Sequence, residues 1–170
     1  TLTEVAKEFH RGRQAGADDP LGLVALLTAF VSACNTIAYA HSRGVIHRDL
    51  KGENIVLGDF GEVIVLDWGL AKRLDDAAEA AAGGDVDLEA DAGRTMMGQV
   101  MGTPAYMAPE QAEGRLDLLG PHTDVFGLGA ILYEILTGGP PFTGTTTLEA
   151  LKNAIRGELA PPRAHWPEVS

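Results

Sequence analysis

Apolar positions recur at three- and four-residue spacing from Leu23 through Leu27, Phe30, Cys34 and Ile37 to His41. That spacing predicts one long helix. Asp19 followed by Pro20 marks its start, an acceptor for free backbone amides and then a residue without an N–H. Gly44 marks its end. Residues 21 to 40 are uncharged, and twenty such residues would just span a bilayer. However, Thr28, Ser32, Asn35 and Thr36 dilute the stretch, and no Lys or Arg lies between Arg13 and Arg43. The upstream flank holds Asp18 and Asp19. The pattern therefore reads as a helix buried on nearly all sides of a soluble domain, with no membrane span in this segment.

The flanking patterns are shorter. Leu2, Val5, Ala6 and Phe9 predict an amphipathic helix over residues 1 to 12, with Gly12 and Gly16 in the following loop. Val45-Ile46 opens a β-branched texture. Ile55-Val56-Leu57 and Val63-Ile64-Val65-Leu66 predict two strands joined by Gly58-Asp59-Phe60-Gly61-Glu62 as a hairpin. Residues 124 to 137 predict a second, almost wholly apolar helix, stopped by Gly138-Gly139-Pro140-Pro141. An amphipathic helix follows over 147 to 157. The tail from Pro161 carries three prolines in ten residues and is expected to be extended. No internal repeat is visible.

Composition narrows the class. The chain has 170 residues, 45% hydrophobic and 22% charged, so it can build a core. Its 13 basic and 24 acidic residues give a net charge of −11, which argues against a general nucleic-acid partner. The single cysteine, Cys34, excludes an internal disulfide and favours a reducing, cytoplasmic setting. Residues 75 to 91 hold Asp75, Asp76, Glu79, Asp85, Asp87, Glu89 and Asp91 with no Lys or Arg, leaving only −4 elsewhere. The acidity is thus mostly that of one segment, 75–93, which reads as a mobile loop.

The chemistry concentrates around the hairpin. His47-Arg48-Asp49-Leu50-Lys51-Gly52-Glu53-Asn54 precedes it, and Asp67-Trp68-Gly69 follows it. The hairpin folds these ends towards each other and brings Asp49, Asn54 and Asp67 into one region. Two carboxylates and an amide oxygen are hard ligands suited to Mg²⁺, which leans on substrate phosphates. Lys51 can set a positive charge beside a transferring phosphoryl group. Taken singly these residues would be unremarkable: a loop salt bridge, a solvated lysine, a helix cap at Asp124.

Together they resemble a family. HRDLKGEN, DWG, GTPAYMAPE (residues 102–110) and DVFGLGAILYEILTGGPPF resemble the catalytic loop, metal-binding loop, substrate-positioning segment and central helix of a protein kinase, in the family's order. The resemblance covers nearly the whole chain and points to bacterial kinases of eukaryotic type, for which the DWGLAK form is a hint. It implies an α+β fold, the mainly helical C-terminal lobe with a small β-hairpin at the catalytic site. It implies ATP and Mg²⁺ as cofactors and Ser/Thr residues of protein substrates as acceptors.

By this resemblance Asp49 accepts or orients the acceptor proton and Lys51 contacts the moving phosphate. Asn54 and Asp67 hold Mg²⁺, and Val56 lies beneath the adenine. Thr103 bonds to Asp49 and Lys51, Asp124 bonds the backbone around His47 and Arg48, and His47, Ile131 and Ile135 are packing residues. Arg48 and Lys72 are placed to grip a phosphate on the activation segment. Thr95 is the one hydroxyl between Arg73 and Met101 and the candidate phosphosite, modified by another copy of the kinase.

The chain also departs from the pattern. Trp68 stands where Phe is usual, and its N–H would want a partner. Glu110 lacks the Arg that normally pairs with it and needs another partner. No glycine-rich loop and no Val-Ala-Ile-Lys-like segment is present, so the N-terminal lobe is absent. The expectation is a partial kinase domain, residues 1–170, cut at both ends and inactive alone. It would be cytoplasmic, or the cytoplasmic part of a longer membrane-anchored protein. The alternative is a pseudokinase or scaffold that binds protein partners without catalysis. A small-molecule kinase is disfavoured by the peptide-positioning segment.

Overall fold

The structure is a computed structural model and describes residues 1–17, 19–74 and 103–167. Helix α1 spans Leu2–Gln14 and α2 spans Pro20–Ser42. Short strands follow: β1 Val45–Ile46, β2 Ile55–Leu57, β3 Val63–Val65 and β4 Lys72–Arg73. Helix α3 is Pro109–Ala112, α4 Pro121–Thr137, α5 Thr147–Arg156 and α6 Pro162–His165. The predicted acidic segment 75–93 and Thr95 lie outside the described residues.

The helix ends follow from local chemistry. Asp19 accepts from the Gly22 amide at 2.9 Å, and Pro20 occupies the first turn of α2. The Gly44 φ of +70° takes the chain out of α2. Helix α4 begins at Pro121, one turn earlier than the apolar run suggests, because Pro121 needs no amide partner and the Gly120 amide is bonded to Thr123 Oγ1 at 3.2 Å. The Thr146 hydroxyl caps α5 through the Glu149 amide at 3.2 Å.

The main core joins α1, α2, the hairpin and α4. Leu2 and Ala6 meet Leu26, Ala29, Ala33 and Ile37 of α2, with Leu128, Ile131 and Ile135 of α4. Ile131 and Ile135 are fully buried, each worth about 2 kcal/mol. A smaller cluster of Met107, Ala112, Phe142 and Ala154 seats α5 against the 103–112 segment. Two antiparallel pairs complete the frame. Strand β2 pairs with β3, Val56 opposite Ile64; β1 pairs with β4, Ile46 opposite Lys72.

Three expectations are corrected. The buried face of α1 is Leu2, Thr3, Ala6 and His10, while Val5 is half exposed. His10 is held inside because its Nε2 bonds the Ile135 carbonyl at 2.8 Å. Helix α2 is long and apolar enough to cross a membrane by length and composition, yet it is buried on one face only. Leu21, Val24, Val31 and Tyr39 are exposed. The small residues Ala29 and Ala33 mark its buried side. The tail is not wholly extended. Pro162 starts the short α6, and Trp166 then lies with its ring 4.0 Å from the Arg13 guanidinium.

Candidate active site

The loop from His47 to Lys51 is held from below by Asp124 of α4. The two Asp124 oxygens accept from the His47 amide and the Arg48 amide, each at 2.8 Å. His41 of α2 adds a contact at 2.7 Å. Asp124 is 1% exposed, and these partners satisfy a carboxylate that would otherwise be costly to bury. The bonds also hold Arg48 at φ +70°, a left-handed conformation that costs a non-glycine residue about 1 kcal/mol or more. Gln111 Nε2 donates to the Arg48 carbonyl at 2.6 Å from the other side. Arg48 Nε donates to the Leu70 carbonyl.

His47 is fully buried. Its Nε2 faces the Leu66 carbonyl at 3.0 Å, and its Nδ1 accepts from the Asp49 amide at 3.3 Å. A carbonyl can only accept, so the proton sits on Nε2. Trp68 packs on this ring with centroids 4.7 Å apart. The indole N–H finds its partner in the Val65 carbonyl at 3.0 Å, a bond that Phe could not make.

The turned loop sets Asp49 against Lys51 and Thr103. Lys51 Nζ is 3.1 Å from Asp49 Oδ2 and donates to Thr103 Oγ1 at 3.0 Å. The Thr103 amide donates to Asp49 Oδ1 at 3.1 Å, and the Thr103 hydroxyl lies 3.4 Å from the same oxygen. These three residues come from two segments 52 positions apart and close a triangle. Asn54 Nδ2 donates to the Asp49 carbonyl at 3.0 Å, which leaves the amide oxygen as an acceptor.

The hairpin carries Asp67 back to this loop. Ile55 pairs with Val65, and the Leu66 amide donates to the Asn54 carbonyl at 2.8 Å, so Asp67 follows directly after the residue facing Asn54. Asp67 adopts φ +61°. Gly69 keeps space beside it: a Cβ there would stand 3.2 Å from Asp67 Oδ1. Asn54 and Asp67 offer hard oxygens. Among the described residues no cluster of three His, Cys, Asp or Glu exists to cage a softer metal. Such a two-ligand donor set fits Mg²⁺ completed by water and phosphate oxygens.

The remaining predicted residues lie at the rim. Val56 sits half-buried at the centre of β2. Lys72 lies in β4 opposite Ile46, beside the start of the loop. Glu110 is bonded by Thr123 Oγ1 at 2.8 Å and approached by His122 at 3.5 Å, so neighbouring side chains stand in for an arginine. Sequence reading missed Gln111, Thr123, His41 and Glu134. Glu134 left a signal as an acid in the middle of the apolar run of α4, and His41 as a polar residue on the apolar spacing of α2.

The protein kinase domain model matches residues 24–170. Among curated proteins, the serine/threonine-protein kinase PknD of Protochlamydia amoebophila is 46% identical over 167 residues, 95% of this chain and 17% of that protein. PknD of Chlamydia felis is 42% identical over 138 residues, 80% of this chain and 14% of that protein. PknB of Mycobacterium tuberculosis is 33% identical over 144 residues, 85% of this chain and 21% of that protein. The chain thus spans about a sixth of the length of the first of these relatives. It belongs to the protein kinase domain family, and within it to the bacterial-type serine/threonine kinases.

Proposed function

We propose that this chain provides the large-lobe side of a serine/threonine protein kinase site that works within a longer protein. The triangle of Asp49, Lys51 and Thr103 carries this reading. A carboxylate held at fixed distance from a lysine is suited to take the proton of a Ser or Thr hydroxyl while that oxygen attacks the γ-phosphorus of ATP. The bond to the leaving ADP breaks as the new P–O bond forms, and Lys51 offsets charge on the transferring group. Asn54 and Asp67 would hold Mg²⁺, which supplies further neutralisation of the phosphates. Val56 would support the adenine. Nothing favours a pseudokinase.

The longer protein should transfer phosphate from ATP to a Ser- or Thr-bearing peptide only with Mg²⁺, and Asp67→Asn should abolish this. Full transfer in the presence of a chelator, or in Asp67→Asn, would reject the metal assignment. We also propose that Thr95 is phosphorylated by a second copy of the protein and gripped by Arg48 and Lys72. Peptide mass spectrometry finding Thr95 unmodified in active protein would remove that idea.

A further inference from the structure

Glu134 is fully buried in the interior of α4, and its Oε1 has no partner among the described residues. Its Oε2 accepts from the Thr3 hydroxyl at 3.1 Å. The Tyr106 hydroxyl lies close to both groups. Gly52, the residue directly after Lys51, packs on the same pair. A Cβ at Gly52 would stand 2.4 Å from Thr3 Oγ1, 2.7 Å from Glu134 Oε2 and 3.2 Å from the Thr3 amide nitrogen. Gly52 does not adopt a left-handed φ, so a side chain there would first displace the Thr3 and Glu134 oxygens and then crowd the Thr3 amide.

Three parts of the site therefore meet at one buried carboxylate. They are the first turn of α1, the catalytic loop just beyond Lys51, and the 103–106 segment whose Thr103 bonds Asp49. The Thr3 hydroxyl, from the first turn of α1, donates the hydrogen bond that this carboxyl group receives. Burying such a group with one oxygen unpaired is costly. The close fit of loop to helix is what this cost accompanies.

We propose that Glu134 is a positioning residue: with Thr3 and Gly52 it forms a latch that seats the catalytic loop on α1 and so fixes where Asp49 and Lys51 stand. The proposal rests on the kinase reading above. It acts through backbone position, so it governs turnover more than peptide affinity.

The test uses the full-length protein and two readouts, hydrogen exchange of residues 47–54 and steady-state transfer to a peptide. Gly52→Ala wedges loop and helix apart, and Glu134→Ala removes the carboxylate. Both should speed exchange of the loop and lower kcat by about tenfold or more, with peptide KM within about twofold. Glu134→Gln keeps an acceptor for Thr3 and should retain both loop protection and kcat. If Gly52→Ala does not fold, Thr3→Val, which removes only the hydroxyl, should show the same faster exchange. Unchanged exchange in the variants that fold would overturn the latch. So would an effect confined to KM for peptides with Arg or Lys beside the acceptor, which would make Glu134 a peptide-binding group. If the wild-type protein transfers no phosphate, the kinase reading fails, while the exchange readout still decides the latch.

Discussion

Helix α4 carries buried carboxylates near both ends, and the two are treated differently. Asp124 receives two backbone amides and His41, all within 2.8 Å. Glu134 receives the Thr3 hydroxyl on one oxygen, with the Tyr106 hydroxyl close by, and its other oxygen has no partner among the described residues. The first is a fully satisfied anchor that holds Arg48 in a left-handed turn. The second is only half satisfied, and burial pushes its carboxyl above the ordinary 4.5. One helix thus fixes the loop rigidly at its entrance and by a tight but costly fit at its exit, beyond Lys51. The contrast teaches that burial alone does not define a role; the count of donors does.

The largest expected break in this contrast is Asp124→Ala. It strands two amides and frees a strained turn, so stability should fall by about 3 kcal/mol or more in denaturant unfolding, and transfer should be lost. The Glu134 end should respond to pH instead. Its native carboxyl holds a proton more tightly than the unfolded one, so its stabilising form is fully present below the ordinary value of 4.5. That stability is lost as the pH rises through the raised native value. Burial drives this shift. Tyr106, Thr3 and Lys7 oppose it, and Glu53 adds to it. Thermal melts against pH should therefore show Glu134→Gln gaining on the wild type across that window. Equal pH profiles would remove the distinction between the two carboxylates.

Smaller changes sharpen the picture around Asp124. Gln111→Ala removes the donor to the Arg48 carbonyl and should cost about 1 kcal/mol, with weaker loss of transfer than Asp124→Ala. Trp68→Phe loses the bond to the Val65 carbonyl but keeps a ring against His47. It should cost less than about 1 kcal/mol and leave transfer measurable. A loss as large as that of Asp124→Ala would mean that the indole bond, not Asp124, governs the loop.

Much of this site was legible in the residues because its signals are local. The hairpin follows from two β-branched runs around a glycine-rich turn, and its register sets Asn54 near Asp67. The start of α2 follows from Asp19-Pro20. What was not legible depends on long-range packing. Thr3 and Glu134 are 131 positions apart, and His41 and Asp124 are 83 apart. No spacing rule links such pairs. An uncharged helix such as α2 does not disclose which face is covered, since apolar residues occupy every side. Proline content suggested an extended tail, whereas Arg13 and Phe9 give Trp166 a surface on which to dock.

The central claim is that the Asp49, Lys51 and Thr103 triangle is a phosphoryl-transfer site. Its most direct test is phosphate transfer from ATP to a Ser/Thr peptide by the longer protein carrying Asp49→Asn. The substitution preserves shape and the acceptor for the Thr103 amide and loses only the Lys51 contact of the second oxygen, so the melting temperature should stay near that of the wild type. Transfer should fall by about a hundredfold or more, since the proton acceptor is gone. Transfer at the wild-type rate by a folded Asp49→Asn protein would contradict the account.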